Sequence, residues 1–426
     1  MRVMFDRSLF NPMLTGSELY NALKVMPRYD ESIRSCDKSL RLVALSDLYN
    51  IYLPSQMSEE IYTKIYLSTV RSLNKKETID AVRQSNENFK MIKQVSCQGI
   101  IGGSDSFTII GCSGIGKSTA ISRSLDLISD KTYIEVNGVK ICPIMIVQCP
   151  FDASVKGLAL EILRKTDCVL GTKYYSNAIR AHATTDILIG IISQVSLFHI
   201  GLLIIDEIQN VAITKNGKSF IQAVTQLINN SGISICMVGT PECKPFFEQK
   251  LQLARRSLGL YYKRLQYDVY YVNFCKTIYN YQYTQNKSEI SEGIVEWLYE
   301  HSGGIVSLVV SLLHDAQEIA ILSGYEKIDL NSLYEAFEKR TNMLHEYMKN
   351  GIITLPQTGK HQKKLGQATL EKVPTLVNEA MQNGLSEEFT IVELLEQSKK
   401  NGYDIVEILK RYFVVEEISE EGCKLC

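Results

Sequence analysis

The chain has 426 residues, enough for two or three domains with full hydrophobic cores, so it needs no metal or disulfide to be stable. Hydrophobic residues make up 45% and charged residues 22%, ordinary usage that excludes a collagen-like, largely disordered or membrane-embedded chain. A net charge of −1 excludes general attraction to nucleic acid, so any such contact has to come from a local basic surface.

Residues 1–95 mix polar and apolar positions at helical period, as at Ile61 and Ile65, with Ser58-Glu59-Glu60 as a helix start; they read as a helical extension without a catalytic pattern. The first strand signal is Phe107-Thr108-Ile109-Ile110, followed by a loop and by Ala120, Ile121 and Leu125 at helical spacing. Ile144-Met145-Ile146-Val147 is a second strand, with a helix through Leu158, Ile162 and Leu163 behind it. The apolar stretch 187–205 invites a membrane span. Gln194, His199 and Gly201 interrupt it, and it reads better as a helix followed by a buried strand over 202–205.

A helix over 220–228, a strand over 233–238 and a fifth strand at Tyr270 to Val272 complete the alternation. Continuous apolar strands alternating with helices predict an α/β domain over 96–275, with a parallel five-stranded sheet covered on both faces. A helical lid is expected over 276–342, with Ile294, Leu298, Leu308, Leu312 and Ile319 facing inward. A polar linker-like segment at Leu355-Pro356-Gln357-Thr358-Gly359-Lys360 then leads into the final helices of a helical, partner-binding region over 343–426. The eleven cysteines, odd in number and without a secretory leader pattern, point to a reducing, cytoplasmic setting. Cys423 and Cys426 form a C-x-x-C, but no second Cys or His pair stands nearby to complete a zinc site, and the pair reads as a frayed tail.

Gly111-Cys112-Ser113-Gly114-Ile115-Gly116-Lys117-Ser118, followed by Thr119, matches G-x-x-x-x-G-K-[ST] between a predicted strand and a predicted helix. Backbone N–H groups of such a loop cradle the phosphates of ATP. Lys117 supplies a point charge to the β- and γ-phosphates, and the Ser118 hydroxyl reaches Mg²⁺. The second half of the site is the strand that ends in Asp206-Glu207. Asp206 is placed to hold the Mg²⁺ shell and Glu207 to orient and polarise the attacking water.

Thr240, ending the next strand, is a candidate sensor of the γ-phosphate; the alternative is a helix N-cap in front of Pro241-Glu242. Gln148, ending the second strand, is a candidate sensor acting through Glu207, with an ordinary strand end as the alternative. Arg255 and Arg256, and Arg264 further on, are candidates to reach the γ-phosphate of a neighbouring subunit; the alternative is a surface salt bridge.

These motifs, with a lid turn at Ser302-Gly303-Gly304-Ile305, resemble AAA+ ATPases. More narrowly, Ile204-Ile205-Asp206-Glu207-Ile208-Gln209, Met237-Val238-Gly239-Thr240-Pro241-Glu242 and Leu253-Ala254-Arg255-Arg256 resemble the TnsC/TniB family of transposition regulators over roughly residues 95–340. The resemblance implies ATP-dependent assembly into rings or helical filaments on duplex DNA, without sequence preference, linking a target selector to a transposase. The helix after the second strand then lies near the DNA channel, which makes Lys156 the first and Lys173 the second candidate for phosphate contacts. Many AAA+ lids carry an arginine where this chain has Val306 and Ser307, a departure that suits slow hydrolysis. An Orc/Cdc6-like initiator or helicase loader shares the same core, but the tail shows no clear β-wing. A signalling ATPase that does not bind DNA needs a repeat or effector domain, and none is visible.

Overall fold

The computed structural model describes residues 10–76, 106–136, 139–231, 233–244 and 259–340. The N-terminal segment forms α1 (Gly16–Leu23), α2 (Lys38–Ala44) and α3 (Gln56–Lys76), with short 3-10 turns at Glu31–Ser35 and Leu45–Asn50. The α/β part follows as β1 (Phe107–Gly111), α4 (Lys117–Ile128), β2 (Ile134–Val136), β3 (Val139–Gln148), α5 (Val155–Leu170), α6 (Tyr174–Arg180) and α7 (Thr185–His199). It continues through β4 (Ile200–Asp206), α8 (Asn210–Ile213), α9 (Gly217–Ser231), β5 (Ser234–Gly239) and β6 (Leu260–Tyr262). The lid is α10 (Val269–Tyr279), α11 (Glu292–Ser302), α12 (Val306–Ser323) and α13 (Leu330–Arg340).

The strands form one sheet in the order β2-β3-β4-β5-β1-β6. All pairs are parallel except β2 with β3, which is antiparallel. The expected five-stranded parallel sheet is therefore present, with a short antiparallel edge strand added. Successive side chains of a strand point to opposite faces, and both faces are buried here. Ile110, Met145, Val147, Leu203, Ile205, Ile235 and Met237 pack with α5, α7 and α9. Phe107, Ile109, Leu202, Ile204, Cys236 and Val238 face the other way, against α4 and against Ile61, Tyr62, Ile65 and Leu73 of α3. Truncating a fully buried residue such as Leu203 to Ala costs about 2–5 kcal/mol.

The fifth parallel strand is β6, paired with β1 at Ile109↔Leu260, and not the segment Tyr270 to Val272. That segment lies in α10. Its aromatic and β-branched content imitates a strand, but the Asp268 carboxylate caps a helix by accepting from the Tyr271 N–H at 2.8 Å. Tyr271, Phe274, Cys275 and Ile278 are buried at the i, i+3, i+4, i+7 positions that a helix requires. The helix runs across position 275, where the domain boundary was expected.

In the lid, Ile294, Leu298, Leu312 and Ile319 are buried as expected and Leu308 is half-buried. Stretch 187–205 is most of α7 and nearly all of β4. Among the described residues one helix, α12, is long and apolar enough to cross a bilayer, and half of it is buried inside the protein. Arg255, Arg256 and the segment 343–426, with Cys423 and Cys426, lie outside the described residues.

Candidate nucleotide site

The loop from Gly111 to Gly116 joins β1 to α4 and takes its shape from glycine. Gly114 has φ +78° and Gly116 φ +95°, left-handed values that cost other L-residues about 1–2 kcal/mol each. Gly116 is the N-cap of α4, so the free N–H groups of the first turn open toward the loop. Lys117 begins the helix and is 9% exposed. Its ammonium donates to the Gly111 carbonyl at 2.7 Å and to the Cys112 carbonyl at 2.8 Å. Burial pulls its pKa below the ordinary lysine value, while the neighbouring Cys112, Asp206, Glu207 and Glu242 act to raise it. The two halves of the expected site thus meet at Lys117, and Glu242 joins them. Ser118 and Thr119 follow on the exposed side, as does Ser113, while Cys112 is half-buried and Ile115 is buried.

Sheet order explains the meeting. β5 lies between β1 and β4, in register at Ile110↔Gly239 and at Ile205↔Met237, so the C-terminal ends of all three strands point to the same edge. Asp206 ends β4 half-buried, and its Oδ1 accepts from the Glu207 N–H at 2.8 Å. Glu207 is exposed and has φ +57°, a conformation that non-glycine residues adopt at a cost of about 1–3 kcal/mol and that clusters at functional sites. Gln148 stands opposite Asp206 in the β3–β4 register, with its side chain exposed. Thr240 is the N-cap residue of the turn Pro241–Cys243, yet its side chain makes no capping hydrogen bond, so the hydroxyl is not explained by capping.

The donor set fits a nucleotide with magnesium. A serine hydroxyl and a carboxylate supply the hard oxygen ligands that Mg²⁺ prefers, and the buried Lys117 has the charge a triphosphate would neutralise.

Residues 72–265, which contain all of these groups, match the family of bacterial TniB proteins. No curated protein matches the chain. Among solved structures, the chain is similar to the Orc1 protein of Aeropyrum pernix in complex with DNA, at 14% identity and a TM-score of 0.40, over 80% of this chain and 78% of that one. It is similar to the Walker-type ATPase paby2304 of Pyrococcus abyssi at 13% identity and a TM-score of 0.39, over 76% of this chain and 90% of that one. It is also similar to the RuvB Holliday junction branch migration motor of Thermotoga maritima, at 10% identity and a TM-score of 0.34, over 76% and 82% of the two chains. Similarity at this level does not extend to what those proteins bind.

The lid touches the α/β core at the phosphate loop itself. The Ser307 N–H donates to the Gly114 carbonyl at 3.0 Å, and a Cβ added to Gly114 would stand 2.2 Å from the Ser307 Oγ. Val306 and Ser307, the positions without a lid arginine, therefore adjoin the loop. Arg264 follows β6 and lies beside the lid turn, its Nη1 3.2 Å from where a Cβ on Gly303 would be. Lys156 is exposed in the first turn of α5, behind Ser154, whose hydroxyl accepts from the Gly157 N–H at 3.1 Å. Lys173 is exposed at the N-cap position of α6.

Two features of the core escaped the sequence. Phe151, 87% exposed in the turn after β3, and Ile213, 79% exposed at the end of α8, flank a link in which the Asn216 side chain donates to the Asp152 carbonyl at 3.0 Å. Gln209, noticed only as part of a family motif, contacts both Glu207 and the Thr240 N–H.

Proposed function

We propose that the chain is an ATP-hydrolysing regulator of DNA transposition. It would assemble as an oligomer on duplex DNA in the reducing cytoplasm and link a target selector to a transposase. The observation that carries the ATPase reading is the sheet order that brings the end of β4, with Asp206 and Glu207, to the same edge as the phosphate loop and the buried Lys117. The match to bacterial TniB proteins supports the transposition reading.

In this reading the first-turn amides of α4 and Lys117 hold the triphosphate, with Lys117 exchanging some of its contacts to loop carbonyls for phosphate oxygens. Ser118 and Asp206 would hold a magnesium ion, which would offset phosphate charge. Glu207 accepts a proton from the attacking water and orients it, while Thr240 and Gln148 report the nucleotide state. Arg255 and Arg256 complete the site of a neighbouring subunit.

Lys156 and Lys173, both exposed, contact DNA phosphates, Lys156 together with the amides at the start of α5. Such contacts carry no base information. Affinity should then fall with salt at a log–log slope of roughly −0.9 per phosphate neutralised. Repetition over many subunits makes weak single contacts add up.

Electron microscopy with duplex DNA, with and without a non-hydrolysable ATP analogue, tests the reading. Rings or filaments on DNA that require the analogue are expected. Dispersed monomers under both conditions would overturn it.

A further inference from the structure

We propose that Gln209 is a positioning residue that ties the Glu207 carboxylate to the end of the sensor strand β5. The inference rests on the hydrolytic role proposed for Glu207.

A carboxamide has a donor end and an acceptor end, and Gln209 uses each on a different partner. Its Nε2 donates to Glu207 Oε2, and its Oε1 accepts from the Thr240 N–H at 3.3 Å. Only this orientation of the amide satisfies both neighbours. The reverse one would set oxygen against carboxylate and NH₂ against N–H.

The backbone around the amide is fixed from both sides. The Ile208 N–H donates to the Val238 carbonyl at 3.0 Å, and the Asn210 N–H to the Glu207 carbonyl at 3.1 Å. Gly239 leaves room for the link, because a Cβ there would stand 2.9 Å from Gln209 Oε1 and 2.6 Å from Ile208 Cγ2. A local capping role does not account for the side chain. Gln209 is the N-cap residue of α8 and makes no side-chain capping bond there.

The consequence is a mechanical link from sensor to base. A shift of Thr240 is passed through Gln209 to the carboxylate that orients water, and it travels through the Thr240 N–H instead of its hydroxyl. Loss of the link should misorient Glu207 while leaving the phosphate loop intact. It should therefore lower kcat with little change in nucleotide affinity.

The test compares wild type, Gln209→Met, Gln209→Ala, Glu207→Gln and the double variant Glu207→Gln/Gln209→Ala. For each, kcat and KM for ATP, binding of a fluorescent non-hydrolysable ATP analogue and Tm are measured. Methionine keeps the length of glutamine without its hydrogen bonds, so it covers the case in which alanine disturbs folding. Both single Gln209 variants should lose on the order of tenfold to a hundredfold in kcat, with wild-type analogue binding and Tm. The double variant should be no slower than Glu207→Gln alone. Wild-type kcat in Gln209→Met, or a further multiplicative loss in the double variant, would overturn the link while leaving the role of Glu207 standing. Wild-type hydrolysis by Glu207→Gln would overturn that role and the inference with it.

Discussion

The two ends of α12 are held in different ways. At its start, nearest the nucleotide site, the Ser307 N–H meets the Gly114 carbonyl at 3.0 Å, a backbone contact to a loop. At its far end the N-terminal segment grips it with charge. The Lys38 ammonium donates to the Leu322 carbonyl at 2.7 Å, where a cation also complements the helix dipole. Just beyond, Arg41 forks onto the Glu326 carboxylate at 2.6 and 2.8 Å and donates to the Tyr283 and Cys36 carbonyls at 3.0 and 3.1 Å. Arg41 is 2% exposed, so this is a desolvated guanidinium that makes four hydrogen bonds. The lid is thus braced by charge at the far end of α12 and docked on the phosphate loop by a single backbone hydrogen bond at its start.

The brace is the place to break this contrast most severely. Arg41→Ala leaves Glu326 and the Tyr283 carbonyl without their partner and should cost about 3–5 kcal/mol of unfolding free energy, read from urea denaturation. Replacing the pair with apolar side chains, as in Arg41→Met with Glu326→Leu, should cost much less, since no charge is then left buried. A double variant as unstable as Arg41→Ala would show that the brace matters for shape and not for charge.

Acid should remove part of the same brace. The Arg41 hydrogen bonds hold the Glu326 carboxyl below its ordinary value of 4.5, with burial acting in opposition. For a depressed carboxyl, the added stability is present above the ordinary value and is lost as pH falls through the lowered one. Thermal unfolding of wild type should therefore lose stability on acidification in that range, and Glu326→Gln should lose less over the same range. Identical pH profiles for the two proteins would contradict the assignment.

The docked end should respond more gently. Gly114→Ala meets both the left-handed φ of +78° and the Ser307 Oγ, so it should cost about 1–2 kcal/mol and push the lid from the loop. Weaker binding of a fluorescent ATP analogue, with a smaller loss of stability than in Arg41→Ala, is the expected result. Unchanged binding would mean that the contact does not couple lid to loop.

The phosphate loop and the Asp206-Glu207 pair were legible because their chemistry is local: glycine placement, one lysine, and carboxylates at the end of an apolar strand. The sheet was legible for the same reason, through runs such as 144–147 and 202–205. The brace was not. Arg41 and Glu326 lie far apart in sequence, and neither sits in a pattern that announces its partner. Tyr270 to Val272 misled because aromatic composition outweighed the Asp268 cap in a short window, and β6, three residues long, gives too weak a signal to compete. Gln209 stood in plain sight within a motif, but its role needs the Thr240 N–H, which only the β4–β5 pairing brings near.

In the proposed function Glu207 activates water while Lys117 holds the nucleotide, and single-turnover hydrolysis by Glu207→Gln tests that division most directly. With radiolabelled ATP, Glu207→Gln should bind nucleotide as tightly as wild type and retain it uncleaved. The account predicts a cleavage rate lower by on the order of a hundredfold or more, in keeping with the loss of a general base. Cleavage of bound ATP at the wild-type rate would contradict it.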